Sequence, residues 1–176
     1  AKFAVDAKTD ELVEVDRITT LDPQFATAIV NDELGFSTGF GTLEVIAFNP
    51  STMEVIERID LSVNTPLPDA GENVVRGVSG AYYNEVTGKL FLALNFNLTT
   101  TNAFYDLTDV YMEIIDVNTL AREGSIRHPE AFYPRMNGVD NSVIDAEGNL
   151  YIVVQGSYGL DGLLGPFAPD RSRPQI

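Results

Sequence analysis

Neither cysteine nor tryptophan occurs in the 176 residues. The missing thiol excludes thiolate metal ligands, cysteine nucleophiles and disulfides together, and it fits a reducing or an oxidising compartment equally. His128 is the single histidine and sits beside Pro129, so a multi-histidine zinc site is excluded and a lone base has no orienting partner in the sequence. Basic residues are scarce, 11 against 26 acids, and the net charge of −15 creates a field that repels nucleic acid and anionic membrane surfaces. Nucleic acid is therefore not an expected partner. An acidic surface of this kind resists association and suits an exported protein. No run of eighteen apolar residues is present, so no helix is expected to cross a membrane. Residues 1–8, AKFAVDAK, carry neither an initiator Met nor the apolar stretch of a signal peptide, and a processed or partial chain is expected. A sustained 3.6-residue apolar period is missing as well, which leaves helix only to loops.

What is present is a repeat. Hydrophobic residues make up 44% of the chain, enough for one globular domain with a core. Three times an apolar strand runs into a turn built on an acid or amide, two further residues and a threonine: Asp6-Ala7-Lys8-Thr9, Asn49-Pro50-Ser51-Thr52 and Asp116-Val117-Asn118-Thr119. An Asx hydrogen bond caps each turn and the Thr hydroxyl can add another, so each copy is a hairpin. A second kind of hairpin precedes the later copies, turning at 31–33, 84–88 and 145–149. The strands that leave it begin Leu34-Gly35-Phe36, Leu90-Phe91-Leu92 and Leu150-Tyr151-Ile152, in the same expected register.

The pattern predicts an all-β chain of four-stranded antiparallel β-propeller blades, with a plain antiparallel sandwich as the alternative. Residues 1–20 supply the last two strands of one blade, 24–62 and 76–128 two whole blades, 138–157 the first two strands of another, and 158–176 a tail. A propeller closes with about four to eight blades, more than this chain contains. The expectation is a partial propeller, completed by further polypeptide or by another chain, since bare sheet edges invite pairing.

In such a meander the connections from second to third strand, and from one blade to the next, emerge at one end. The long segments 62–77, 96–109 and 127–137 fall into those classes, followed by the tail, and loops on a rigid scaffold are where binding residues concentrate. They carry Phe104, Tyr105, Phe132, Tyr133 and Tyr158 beside Arg76, Arg127, His128 and Arg135. Aromatic faces with guanidinium groups suit a flat, anionic or aromatic ligand. Arg76, Phe104, Tyr105, Tyr133 and Arg135 are the expected ligand contacts. The competing role for the same side chains is to pin the loops, with the bases paired to Asp69, Glu72, Asp106 or Glu130.

Other motifs do not carry chemistry. Gly35-Phe36-Ser37-Thr38-Gly39 matches a nucleophile-elbow pattern that needs a strand-to-helix turn, and it lies in a β-rich stretch. The turn at 145–149 lacks the alternating acids of a calcium loop. Gly39-Phe40-Gly41 is too short for a dinucleotide fingerprint, and Asn97-Leu98-Thr99 is a glycosylation sequon that matters only in a eukaryotic secretory host.

The segments VSGAYYNEVTGKLFLALNF, VYMEIIDVNTLAREGSIRH and YPRMNGVDNSVIDAEGNLYIVVQGS resemble a family of propeller-like surface lipoproteins from Bacteroidota. The resemblance implies a lipid-anchored cell-surface binding protein, in some members one that captures ferric siderophores beside a TonB-dependent transporter. The lipid-bearing cysteine of that family is missing here. The leading expectation is a non-catalytic, exported or cell-surface binding protein that takes a small molecule or docks on an outer-membrane transporter, with no cofactor. Two alternatives stand beside it. One is a calcium-dependent lactonase or sugar hydrolase using Asp106, Asp109 or Asp140; the other is a structural or adhesive repeat module.

Overall fold

A computed structural model of the chain describes residues 1–20, 23–39, 41–62, 74–99, 104–106, 110–127, 134–135 and 142–154. Among the described residues every regular element is a strand. A hairpin of β1 (Lys2–Val5) and β2 (Leu12–Asp16) comes first. The first complete sheet is an antiparallel meander of β3 (Gln24–Ile29), β4 (Gly35–Gly39), β5 (Glu44–Phe48) and β6 (Val55–Asp60). The second sheet orders β7 (Val74–Asn84), β8 (Lys89–Thr99), β10 (Val110–Asp116) and β11 (Arg122–Arg127), with β9 (Phe104–Asp106) also on β8. A third sheet pairs β13 (Ser142–Ile144) with β14 (Leu150–Val154) and adds β12 (Pro134–Arg135) on the other edge of β14. The all-β, four-stranded antiparallel units expected from the repeat are present; among the described residues no sheet closes on itself.

The three Asx turns share one geometry. The amides of Lys8, Ser51 and Asn118 donate to the side-chain oxygens of Asp6, Asn49 and Asp116 at 2.8, 2.8 and 2.9 Å. Each threonine Oγ1 accepts a longer bond, 3.4 Å in every copy, from the residue two ahead: Glu11, Glu54 and Ala121. The residue after the threonine turns left-handed each time, with φ of 56° at Asp10 and 57° at Met53 and Leu120. These are not glycines, so each pays a backbone strain that the capping bonds hold in place.

Asp116 does more than cap. Its carboxylate accepts from Lys89 Nζ at 2.6 Å, and Lys89 also reaches Glu123 at 2.6 Å. The Lys89 bond, followed by the amide of Thr119, lowers the Asp116 carboxyl to about 2 from an ordinary 3.8. A depressed folded-state value means stability that is complete above pH 3.8 and is lost as pH falls toward 2. Acid titration of the melting temperature should show this loss, and Asp116→Asn should flatten the profile in that window while leaving neutral-pH spectra unchanged.

Packing follows from alternation. Phe36, Val45, Ala47, Ile59 and Leu61 of the first sheet meet Val78, Leu90, Leu92, Leu94 and Ile115 of the second in one buried cluster. On the opposite face of the second sheet, Ala93 and Met112 are buried with Tyr82, Phe91, Ile126, Leu150 and Ile152 packed around them. The second sheet is thus covered on both faces, by the sheet before it and the sheet after it.

Two expectations need correction. Gly35 stands opposite Phe48, whereas Leu90 stands opposite Ile115. Phe48 and Ile115 each precede the Asx residue, so the first-sheet residue in register with Leu90 is Gly35, not Leu34. The turn at Asn31 is the cause: its oxygen caps the amides of Glu33 and Leu34 at 2.8 and 2.9 Å, closing the hairpin early. The segments read as loops are also shorter than expected. Strand β7 starts at Val74 and β8 continues to Thr99, because β10 pairs β8 only between Lys89 and Ala93 and leaves the rest of that edge to β9.

Candidate functional site

The Asx turns lie at one end of the sheets, where Ser51 Oγ donates to the Asp32 carbonyl at 2.7 Å and the Val117 amide donates to that of Gly88 at 3.2 Å. The other end is where β4 and β6 of the first sheet and β8 of the second finish. There β7 and β8 run on past the body of the second sheet, with Arg76 opposite Phe96, Val75 opposite Asn97 and Val74 opposite Leu98. Strand β9 adds a third rung, placing Tyr105 opposite Leu98, Phe104 opposite Thr99 and Asp106 opposite Asn97. Arg76 and Tyr105 are therefore two strands apart, a separation of about 10 Å across the sheet. Strand β12 sets Arg135 opposite Val153 and lies against β7 and β8.

Of the five expected contacts, Arg76, Phe104, Tyr105 and Arg135 fall on strands at this end, and Tyr133 lies outside the described residues, as do Phe132, Tyr158, His128, Asp69, Glu72, Glu130, Asp109 and Asp140. Arg127 is the last residue of β11. Placing Arg76 and Tyr105 on strands corrects their reading as loop residues. The reason is the open edge of β8. Asp106, offered above as a possible calcium ligand, sits on β9, and among the described residues no group of three His, Asp or Glu converges as a metal site. Ser37 is an interior residue of β4 whose hydroxyl bonds the Gln24 side chain at 2.7 Å, so the elbow geometry of a nucleophile is missing.

Glu113 is fully buried on β10 and Arg122 of β11 grips it with both Nε and, at 3.0 Å, Nη2. The hydrogen bond to Glu113 raises the already high value of the guanidinium further.

A cleft of about 290 Å3 lies elsewhere, between the β1–β2 hairpin and the outer face of the first sheet. Thr27, Ile29, Ser37, Ile46 and Phe48 floor it and Lys2 and Ile18 form its rim. Gly35 lies beneath: a Cβ there would come within 2.9 Å of Ile29 Cδ1 and 3.1 Å of Phe48 Cζ. Sequence reasoning did not mark this cleft. Its signal was the run of small residues Gly35, Ser37 and Gly39 on one face of β4.

No protein-family model matches the chain, and no curated protein matches it either.

Proposed function

We propose that the chain is a non-catalytic binding protein whose stacked sheets are propeller blades and whose loop end holds a small anionic or aromatic ligand. The observation that supports this reading is that β9 pairs with the extended end of β8 while β12 lies against β7 and β8, which puts Arg76, Phe104, Tyr105 and Arg135 on neighbouring strands. Aromatic and arginine residues carried on neighbouring strands are the residue types that suit stacking and charge-assisted recognition, in a protein whose remaining charge is strongly negative. Tyr133, close in sequence to Arg135, belongs to the same proposed surface. An exported or cell-surface location, and docking on an outer-membrane transporter, are part of the proposal through the lipoprotein resemblance.

The test is a titration with ferric catecholate complexes as the first ligands. Tyr105→Ala is expected to remove stacking worth about 1 kcal/mol, and Arg135→Ala a charge-assisted contact worth about 1.5–3 kcal/mol. Melting temperatures should stay close to the parent, because the buried clusters draw on other residues. Equal affinity in parent and both variants would remove this end of the molecule from the proposal; a fall in affinity that only tracks lost stability would assign the residues to pinning the loops.

A further inference from the structure

A second cleft lies at the turn end of the sheets, away from Arg76 and Tyr105. Its volume is about 450 Å3, within the range of small-molecule sites. Tyr82, Tyr83, Glu85 and Val86 of the second sheet line one side and residues 143–146 of the third line the other. The two sides are tied together. Asn84, fully buried, donates from Nδ2 to the Gly148 carbonyl at 2.9 Å, while its Oδ1 accepts from the amides of Val86 and Thr87, each at 3.1 Å. A Cβ on Gly148, where φ is 85°, would come within 3.1 Å of Val86 Cγ1. The turn of one sheet is thus seated on the turn of the next, which fixes the separation of the walls.

Tyr82 accounts for the space. It stands opposite Phe91, as Ala28 stands opposite Phe36 in the first sheet. Over the small Ala28 the next sheet comes in close, with β7 lying against β3; a tyrosine at the same position props the following strand away. Tyr82 and Tyr83 are half-buried and Glu85 is exposed, and among the described residues none of these three side chains has a hydrogen-bonding partner. Asp145 is different: it accepts from the amides of Glu147 and Asn149 at 3.1 and 2.8 Å, from Asn149 Nδ2 at 2.8 Å and from the Tyr151 hydroxyl at 3.1 Å. Its oxygens are occupied, but its charge remains beside the cleft. The described lining therefore offers rings, a free carboxylate and a second negative charge, with no basic residue.

We propose that this cleft binds a small organic cation, an ammonium group on a compact apolar or aromatic body, with the Tyr82 ring as its stacking surface and Glu85 as its counterion. The face of a tyrosine ring attracts a cation, and the carboxylate adds a charge-assisted hydrogen bond. The net charge of −15 raises the local concentration of such ligands. An anion is disfavoured by the same charges, so the site is distinct in chemistry as well as in place from the surface proposed above, and it does not depend on the propeller reading.

Benzylammonium is the probe, with benzyl alcohol as a neutral control of the same size, each titrated into the isotope-labelled 176-residue protein and followed by NMR at the amides of 84–86 and 143–146. Benzylammonium should shift both turns. Glu85→Gln is expected to weaken its binding about fivefold, the worth of an exposed ion pair, and Tyr82→Leu, which keeps bulk and loses the aromatic face, about threefold. Glu57→Gln removes an exposed charge on β6 and should leave binding unchanged. Glu85 is exposed, so its replacement spares the fold and keeps the test intact if Tyr82→Leu loosens the sheets. No shift at either turn up to millimolar probe would overturn the proposal. So would equal binding of benzyl alcohol, or equal losses from Glu57→Gln and Glu85→Gln, which would reduce the effect to attraction by the net charge.

Discussion

Arg122→Ala is expected to destabilise the fold by about 3–5 kcal/mol, because it strips the guanidinium from a carboxylate that stays buried. Glu113 has no exposed surface, while Arg122 keeps about a quarter of its side chain in contact with solvent. The two partners are therefore not equivalent. When Glu113 is replaced by Gln, the arginine can turn toward water and the buried site keeps a neutral, hydrogen-bonding group, so the loss should be smaller than for Arg122→Ala. The double variant should recover part of the Arg122→Ala deficit, since a buried amide costs less than a buried charge that has lost its guanidinium partner. A folded domain is worth about 5–15 kcal/mol in total, so the single arginine change takes a large fraction of it. Urea titration of the parent, both single variants and the double variant closes the cycle. Additive losses would show that the pair is not coupled and that Glu113 depends on other contacts.

The turns were legible in the sequence because their chemistry is local. An Asp or Asn at the start of the turn and a Thr three residues on decide the capping bonds, whatever surrounds them, and 6–9, 49–52 and 116–119 fold alike. The alternation of apolar residues likewise placed the starts of β8 and β14, at Lys89 and Leu150, to within a residue. What escaped was decided across strands. Nothing in Phe96-Asn97-Leu98-Thr99 separates a loop from the end of a strand; it is a strand because β7 pairs it on one edge and β9 on the other. The slip at Gly35 depends on how soon the Asn31 turn closes. Met53 and Leu120 give no local sign of a left-handed backbone, and only the superposition of repeats shows that the position after the threonine demands one. Glu113 could have been found, since it shares the alternating face of Ile115, and a carboxylate on a core face calls for a partner. The aromatic and basic residues of the proposed site could be named from composition, but their meeting at one end follows from the extension of β8.

Phe36→Ala should cost about 3–5 kcal/mol, the usual loss when a fully buried aromatic ring is cut back and its neighbours close only part of the cavity. For a chain of this length that corresponds to a fall in melting temperature on the order of 10 °C. Phe36 has no exposed surface and lies in the cluster shared by the first and second sheets. Its ring therefore reports on more than the stability of β4. Because residues of both sheets line the same cluster, the variant should still melt in one transition, displaced as a whole. Ile56 provides the comparison: it is 51% exposed on β6, and Ile56→Ala should change stability by no more than about 0.5 kcal/mol. Calorimetry distinguishes cooperative stacking from side-by-side folding. Two separated transitions, with Phe36→Ala moving only the lower one, would mean that the sheets fold independently and that the interface between them contributes little. A single transition shifted for Phe36→Ala and unmoved for Ile56→Ala is the result that a continuous face-to-face core requires.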